Sequence, residues 1–330
     1  MVEATTQFKG TTTAPRPPAY IWVPAGFIAL LILLPPIYLF IRTLDSGTGI
    51  LDLLWNMRTV WILMRTALLM VLVTSICVVL GVSIAWLTSR TDIPFRKPLG
   101  VLTILPLVIP SYVFAMLVVV ALGPKGMTQG WLEPLGVDRL PSIFGLPGAT
   151  LTLALLSFPY VLLPVRAAMH RLDPSMEEAA RGLGQSAFQA FVRVTLPLLR
   201  PAIVAGALLV SLYTLSDFGA VSLLRYQTFT WAIYIQYETA FDRSLAAALS
   251  LTLVGLTLIV LWIEFRARGR GTYYRVTPGT QRVVPLARLG RWRWPAMVYV
   301  GIVVTFSLLI PIAILSYWVI RGVTAGEPLE

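Results

Sequence analysis

Long uninterrupted apolar runs alternate with short polar segments along this 330-residue chain. A helix needs about 20 apolar residues to cross the hydrocarbon core of a bilayer. Seven runs approach that length: Tyr20–Ile41, Val60–Leu87, Leu99–Leu122, Ala149–Met169, Pro201–Leu224, Ser244–Ile263 and Trp294–Ile320. They lack the period-two alternation of barrel strands, so helices are expected throughout. The first run is too long for a signal-peptide core, and no small-residue cleavage site follows it. The expected fold class is an all-α integral membrane protein with about seven transmembrane helices.

Tryptophans mark the ends of several runs: Trp22, Trp61, Trp86, Trp262, Trp294 and Trp318. Amphipathic rings of this kind anchor helices at the membrane–water interface. Pro106, Pro110, Pro159 and Pro164 interrupt the hydrogen-bond ladders of two runs and predict bends there.

Composition agrees with this pattern. Hydrophobic residues make up 57% of the chain and charged residues 12%, about half the charged share of a soluble domain. The formal net charge of +11 does not point to nucleic acid, because Lys and Arg gather on the cytoplasmic side of membrane proteins. With the N-terminus placed inside, 18 of the 26 basic residues fall on that side. The expected location is a bacterial plasma (inner) membrane, multi-pass, with the N-terminus cytoplasmic. The basic stretch from Arg266 to Arg293 then lies inside, near anionic lipid headgroups, and its Gly and Pro residues read as a flexible linker.

Candidate chemistry is sparse. Cys77 has no partner cysteine and reads as a small core residue. His170 reads as a solvated loop residue, and one His with one Cys cannot close a protein metal site. No metal site and no catalytic residue is expected. The sequence Gly-x-x-x-x-Gly-Lys-Ser/Thr does not occur, so ATP chemistry, if used, belongs to another subunit.

The loop between the fourth and fifth runs carries the most information. Asp173 is a good N-cap, and Pro174 suits the first helical position. Glu177 and Glu178 suit the positive end of the helix dipole. Met176, Ala179, Ala180 and Leu183 share one face at helical spacing. Gly182 and Gly184 end this helix, and Ser186 caps a second one predicted over Ala187 to Val194. Leu196-Pro197 then leads into the next run.

These residues resemble the permeases of binding-protein-dependent ABC importers. That family carries Glu-Ala-Ala, three residues, Gly, nine residues, then Ile-x-Leu-Pro. Here Glu178-Ala179-Ala180 is followed by three residues and Gly184, and nine more lead to Val194-Thr195-Leu196-Pro197, with Val194 in place of Ile. The resemblance implies that Glu177, Glu178, Ala179, Ala180, Gly184, Leu196 and Pro197 form an ATPase-coupling loop that docks into a cleft of the ATPase subunit. It implies a cytoplasmic ABC ATPase dimer, which binds the ATP and Mg, and a periplasmic or lipid-anchored solute-binding protein. The chain itself needs no cofactor.

The segments Ser216-Asp217-Phe218-Gly219-Ala220-Val221-Ser222-Leu223-Leu224 and Thr228-Phe229-Thr230-Trp231-Ala232-Ile233-Tyr234 are similar to ferric-iron-type permeases. Thiamine, phosphonate and polyamine permeases are alternatives of the same family. Leu33-Leu34-Pro35-Pro36-Ile37 in the first run can be laid over Leu308-Leu309-Ile310-Pro311-Ile312 in the last. The expected organisation is a cytoplasmic tail over 1–19 and a six-helix permease domain over 20–265 with its coupling loop at 173–197. The basic linker follows over 266–293, and then the first helix of a truncated second permease half over 294–330. That second half, in the same full-length chain, and membrane lipid complete the expected partners.

Asp217 is a carboxylate near the outer end of its run, where it should face a cavity or a partner. With Ser216 and Gly219 it forms the candidate translocation path. An ion-coupled secondary transporter is the competing reading. It would place more ionisable groups at mid-membrane.

Overall fold

The computed structural model describes residues 19–44, 56–124, 126–133, 141–172, 175–238, 243–267 and 286–324. Apart from short 3₁₀ and π turns, the chain forms α1 (Ala19–Leu44), α2 (Met57–Arg90), α3 (Arg96–Leu102), α4 (Ser111–Leu122), α5 (Met127–Leu132), α6 (Leu146–Ser157) and α7 (Pro159–Arg171). It continues with α8 (Ser175–Gly182), α9 (Ala187–Ala190), α10 (Arg200–Ser216), α11 (Gly219–Leu223), α12 (Phe229–Glu238) and α13 (Arg243–Ala267). The last two are α14 (Arg293–Val304) and α15 (Ile310–Thr324). Among the described residues, the one β pairing is an isolated bridge between Thr91 and Ala287. Among the described residues, six helical segments are long and apolar enough to cross a membrane, or seven if the pair bent by 71° at Leu199 counts as one span.

The apolar runs form helices because lipid offers the backbone no hydrogen-bond partners, so each peptide group must be satisfied within its own segment. Polar side chains obey the same constraint. Ser75, Thr88 and Thr214 donate to the carbonyls of Val71, Ile84 and Val210, four residues back.

Several expected spans are interrupted. The run Leu99–Leu122 is α3, a 3₁₀ turn over Leu105–Val108 and α4, with Pro110 at the N-cap of α4. Phe158 separates α6 from α7 in the fourth span, because Pro159 lacks the N–H that would continue the ladder. The run Pro201–Leu224 stops at Ser216 and restarts as α11. A helix not expected from the runs, α12, fills the stretch before α13, with Phe229 fully buried beside Ile62 and Leu249. Glu264, left outside the sixth run, lies in the last turn of α13.

At the centre, α2, α7 and α10 pack against one another. Their approach is set by two glycines. A Cβ on Gly81 of α2 would lie 2.7 Å from Val161 Cβ and 2.9 Å from the Leu162 nitrogen. A Cβ on Gly206 of α10 would lie 2.7 Å from Val161 Cα and 3.0 Å from the Tyr160 carbonyl oxygen. Val161 is thus held between two glycine faces and is fully buried. Small residues at helix contacts are how membrane helices come close, since lipid tails remove the hydrophobic driving force between them. Hydroxyl pairs add polar ties: Thr74 with Ser211 at 3.0 Å, joining α2 to α10, and Ser83 with Tyr299 at 2.8 Å, joining α2 to α14. Cys77 is fully buried, its Sγ 3.5 Å from the Ala154 carbonyl oxygen, as a core cysteine should be.

The two end spans differ in packing. None of the described side chains of α1 is buried, and the helix lies along α13. The last span, α14 and α15 joined by a π turn, packs on α3 and α4. Its entry is pinned to the end of α2, where the Ala287 N–H donates to the Arg90 carbonyl at 2.9 Å and the Leu289 N–H to Asp92 Oδ1 at 2.8 Å. The expected tail and most of the basic linker fall outside the described residues.

Gly206→Ala should lower thermal stability in detergent by about 1–3 kcal/mol, the usual cost of overpacking. Gly255→Ala, at a helical glycine with nothing within 4 Å of an added Cβ, should be neutral or stabilising by up to about 1 kcal/mol. Equal melting temperatures for the two variants would contradict the close approach at Val161.

Candidate coupling loop and helix break

The loop after α7 folds as two short arms. Its expected cap residues, Asp173 and Pro174, lie outside the described residues. The first arm is α8. It ends where the Gly184 N–H donates to the Arg181 carbonyl at 3.0 Å and the Gln185 N–H to the Ala180 carbonyl at 3.2 Å. This paired closure needs a left-handed residue, and Gly184 supplies it with φ of +88°. The second arm starts with a reciprocal cap. The Gln189 N–H donates to Ser186 Oγ at 3.2 Å, and the Ser186 N–H to Gln189 Oε1 at 3.0 Å. The expected helix over Ala187 to Val194 is α9 only as far as Ala190. Phe191–Thr195 is a π-helical segment, followed by a single α-helical turn over Leu196–Leu198.

The arms have distinct inner and outer faces. Ala180, Ala190, Phe191 and Thr195 are buried. Glu178, Met176, Ala179, Leu183 and Phe188 are exposed. Leu183 is 85% exposed and Phe188 62%. The apolar face expected for the first arm is therefore divided, with Ala180 packed inward and Met176, Ala179 and Leu183 outward. The two carboxylates also part company. Glu177 is half-buried, and its Oε2 accepts from Thr195 Oγ1 at 3.3 Å, which ties the arms together. Glu178 points to the surface. Leu196 is half-buried, and Pro197 is exposed just before the 71° bend into α10. The outward face thus combines exposed apolar side chains with one carboxylate on a turn fixed by Gly184.

Two placements differ from expectation. His170 lies in the last turn of α7 and is exposed, rather than in a loop. Trp86 is not an interfacial anchor. It is 8% exposed, with its ring 5.0 Å from that of Phe191 and 6.2 Å from that of Phe188. Only its place at the end of an apolar run showed in the sequence, and that feature fits an anchor equally well.

At the opposite end of α10, Asp217 follows the last helical turn in extended conformation. It is 7% exposed. Its Oδ1 accepts from the Ala220 N–H at 2.9 Å, which caps α11, and the Val221 N–H and the Ser111 hydroxyl also reach the carboxylate. Thr230 Oγ1 donates to the Asp217 carbonyl at 2.8 Å. A Cβ on Gly219 would meet Tyr112 Cβ at 2.8 Å, so glycine lets α11 sit against the start of α4. Two helix breaks, at Pro110 and at Asp217, thereby meet. Ser216 is exposed and lines a groove of about 630 Å3 with Tyr160, Tyr213, Ser250 and Thr257 among its walls. Asp217 and Ser216 are adjacent in sequence, but only Ser216 borders the groove.

Comparison with known proteins follows the same lines. Residues 77–325 match the family described as binding-protein-dependent transport system inner membrane component. The Fe(3+)-transport system permease protein FbpB 2 of Haemophilus influenzae is 34% identical over 310 residues, which is 93% of this chain. The chain spans 58% of the length of that protein. The sulfate transport system permease protein CysW of Escherichia coli is 29% identical over 248 residues, 71% of this chain and 82% of CysW. The fold is similar to that in the crystal structure of a bacterial alginate ABC transporter in complex with alginate pentasaccharide-bound periplasmic protein. The TM-score is 0.62 at 19% identity, over 76% of this chain and 94% of that one.

Gly184→Ala should loosen the turn, because an L-residue in the left-handed region costs about 1–2 kcal/mol. Hydrogen exchange at residue 184 and Gln185 should quicken by a factor of about 5–30, with the amides of α7 unchanged. Unaltered exchange at both positions would contradict the role of Gly184 in closing the first arm.

Proposed function

Because the chain belongs to the family of binding-protein-dependent transport system inner membrane components, we propose that it is the ABC-importer permease for a ferric-iron system, coupled through Glu178, Gly184 and their neighbours to a separate cytoplasmic ATPase dimer. The protein is a multi-pass inner-membrane permease. The observation that carries the coupling assignment is the outer face of the loop. There Met176, Glu178, Leu183 and Phe188 stand exposed on a turn fixed by Gly184. Large apolar side chains held out from a closed turn are unfavourable in water and favourable in a partner's cleft.

The coupling loop faces the cytoplasm, and the N-terminus lies on the same side. Arg90, Arg96, Arg166, Arg181, Arg193 and Arg200 all fall at this end of the helices, which supports that orientation. A solute-binding protein delivers cargo to the opposite face, and a second permease half completes the pathway. ATP and Mg reside on the ATPase subunits. ATP binding draws the loop inward with its partner, and α7 and α10, which enter and leave the loop, carry the movement to the Asp217 end by rigid-body rotation. Asp217, Ser216 and Gly219 sit where the broken helices meet and form the outer part of the path. Iron as cargo is supported by the likeness to FbpB 2 and by the segments at Ser216–Leu224 and Thr228–Tyr234.

Glu178→Lys should weaken recovery of the ATPase in pull-down about tenfold or more, since like-charge juxtaposition at an interface costs several kcal/mol. Full recovery with the reversed charge would remove Glu178 from the docking face. Proteoliposomes containing the complete assembly and its binding protein should take up radiolabelled ferric iron and not sulfate. Sulfate uptake without iron uptake would overturn the cargo assignment while leaving the permease assignment in place.

Asp217→Asn should retain the α11 cap, because an amide oxygen still accepts from Ala220, so its melting temperature should stay close to that of the unmutated protein. Uptake per folded transporter should fall. Normal specific uptake would take Asp217 out of the path and leave it as a cap alone.

A further inference from the structure

We infer that Trp86 is the positioning residue through which the docking loop acts on α2, an inference that rests on the permease reading above. Trp86 stands one turn before the end of α2 and is buried. Its ring contacts both aromatic residues of the loop's second arm: Phe191 in a tilted stack at 5.0 Å, and Phe188 edge-on at 6.2 Å. Phe188 is mostly exposed, so one side chain belongs to the docking face and touches Trp86 as well. The first arm joins the same unit through the Thr195 to Glu177 hydrogen bond. A push on α8 therefore reaches the π segment and then the indole ring.

The loop side of this contact is a π-helical segment, a geometry found mostly as single-turn insertions at functional sites. Trp86 Nε1 has no hydrogen-bond partner, although a buried indole N–H usually finds one. The ring is thus held by packing, and it can shift against Phe191 without breaking a hydrogen bond. Just beyond Trp86, α2 is tied to two further elements. The Arg90 guanidinium donates to the Met169 carbonyl at the end of α7. The Arg90 carbonyl and Asp92 hold Ala287 and Leu289 at the entry to the last span. Movement delivered to Trp86 is in this way shared with α7 and with α14.

The test uses the full-length protein assembled with its ATPase in proteoliposomes, with Ser216→Cys as a reporter at the far end of α10. Cys77 is fully buried and stays unlabelled. With Trp86 present, ATP and vanadate should change the rate of labelling by a membrane-impermeant maleimide about fivefold or more, the lower end of typical coupling between sites. Trp86→Leu should still co-purify with the ATPase and still hydrolyse ATP, but the labelling response should fall below about twofold. Trp86→Phe should restore most of it. If Trp86→Leu does not assemble, Phe191→Leu removes the same ring contact from the other side and carries the test with the same outcomes.

A full labelling response in the leucine variant overturns the inference. So does a reporter that never responds to nucleotide, and so does a loss of hydrolysis and labelling response in equal proportion. Failure of the unmutated protein to bind any ATPase would instead overturn the permease reading itself, so the two failures are distinguishable.

Discussion

The close crossing of α2, α7 and α10 at Val161 is the constraint on which the rest depends. In a bilayer, apolar side chains gain little by leaving lipid for protein, so helices hold together by intimate contact and by a few polar ties. Gly81 and Gly206 allow that contact by removing the Cβ atoms that would collide with the α7 backbone. The consequence reaches the two-armed loop directly. Helix α7 enters the loop, α10 leaves it, and α2 braces it through Trp86. The loop is therefore mounted on a close crossing of three helices, and a force on it meets a body rather than one pliable helix.

The opposite end is built differently. Helical continuity is given up at Pro110 and at Asp217, and the freed backbone groups are satisfied by side chains and turns. Asp217 caps α11, Thr230 holds the Asp217 carbonyl, and Thr66 Oγ1 accepts from the Phe229 N–H at 3.1 Å. Irregular backbone at membrane depth is tolerated only where protein or a water-filled cavity surrounds it. Beside the broken helices runs a mostly apolar groove, with Leu209, Leu212 and Leu253 as well as Tyr160, Tyr213 and Ser216 in its walls. A closely packed end that carries the loop and an irregular opposite end suit the proposed import device, driven from one side and loaded from the other.

Much of this was legible in the sequence, because the bilayer imposes a length and polarity rule that few other folds share. The apolar runs became helices, the prolines marked two of the breaks, and the residues from Glu178 to Pro197 announced two short arms around a glycine turn. Pairwise geometry was hidden. Gly81 and Gly206 are two of 24 glycines, and nothing local singles them out as contact points. Trp86 looked like an interfacial anchor because an indole at the end of an apolar run has the same signature in either role. Helix α12 was missed because it is short and carries no long apolar run. The ties from Arg90 and Asp92 to Ala287 and Leu289 join segments far apart in sequence, where no periodicity reports contact.

The central claim is that the exposed face of the two-armed loop is the site of ATPase docking. A photo-crosslinking amino acid placed at Leu183, the most exposed apolar position of the loop, tests this in native membranes. The predicted product is a covalent adduct with an ATP-binding-cassette subunit, formed in good yield at Leu183 and absent when the same group replaces the buried Ala190. An adduct with lipid alone, or equal adducts from both positions, would contradict the account.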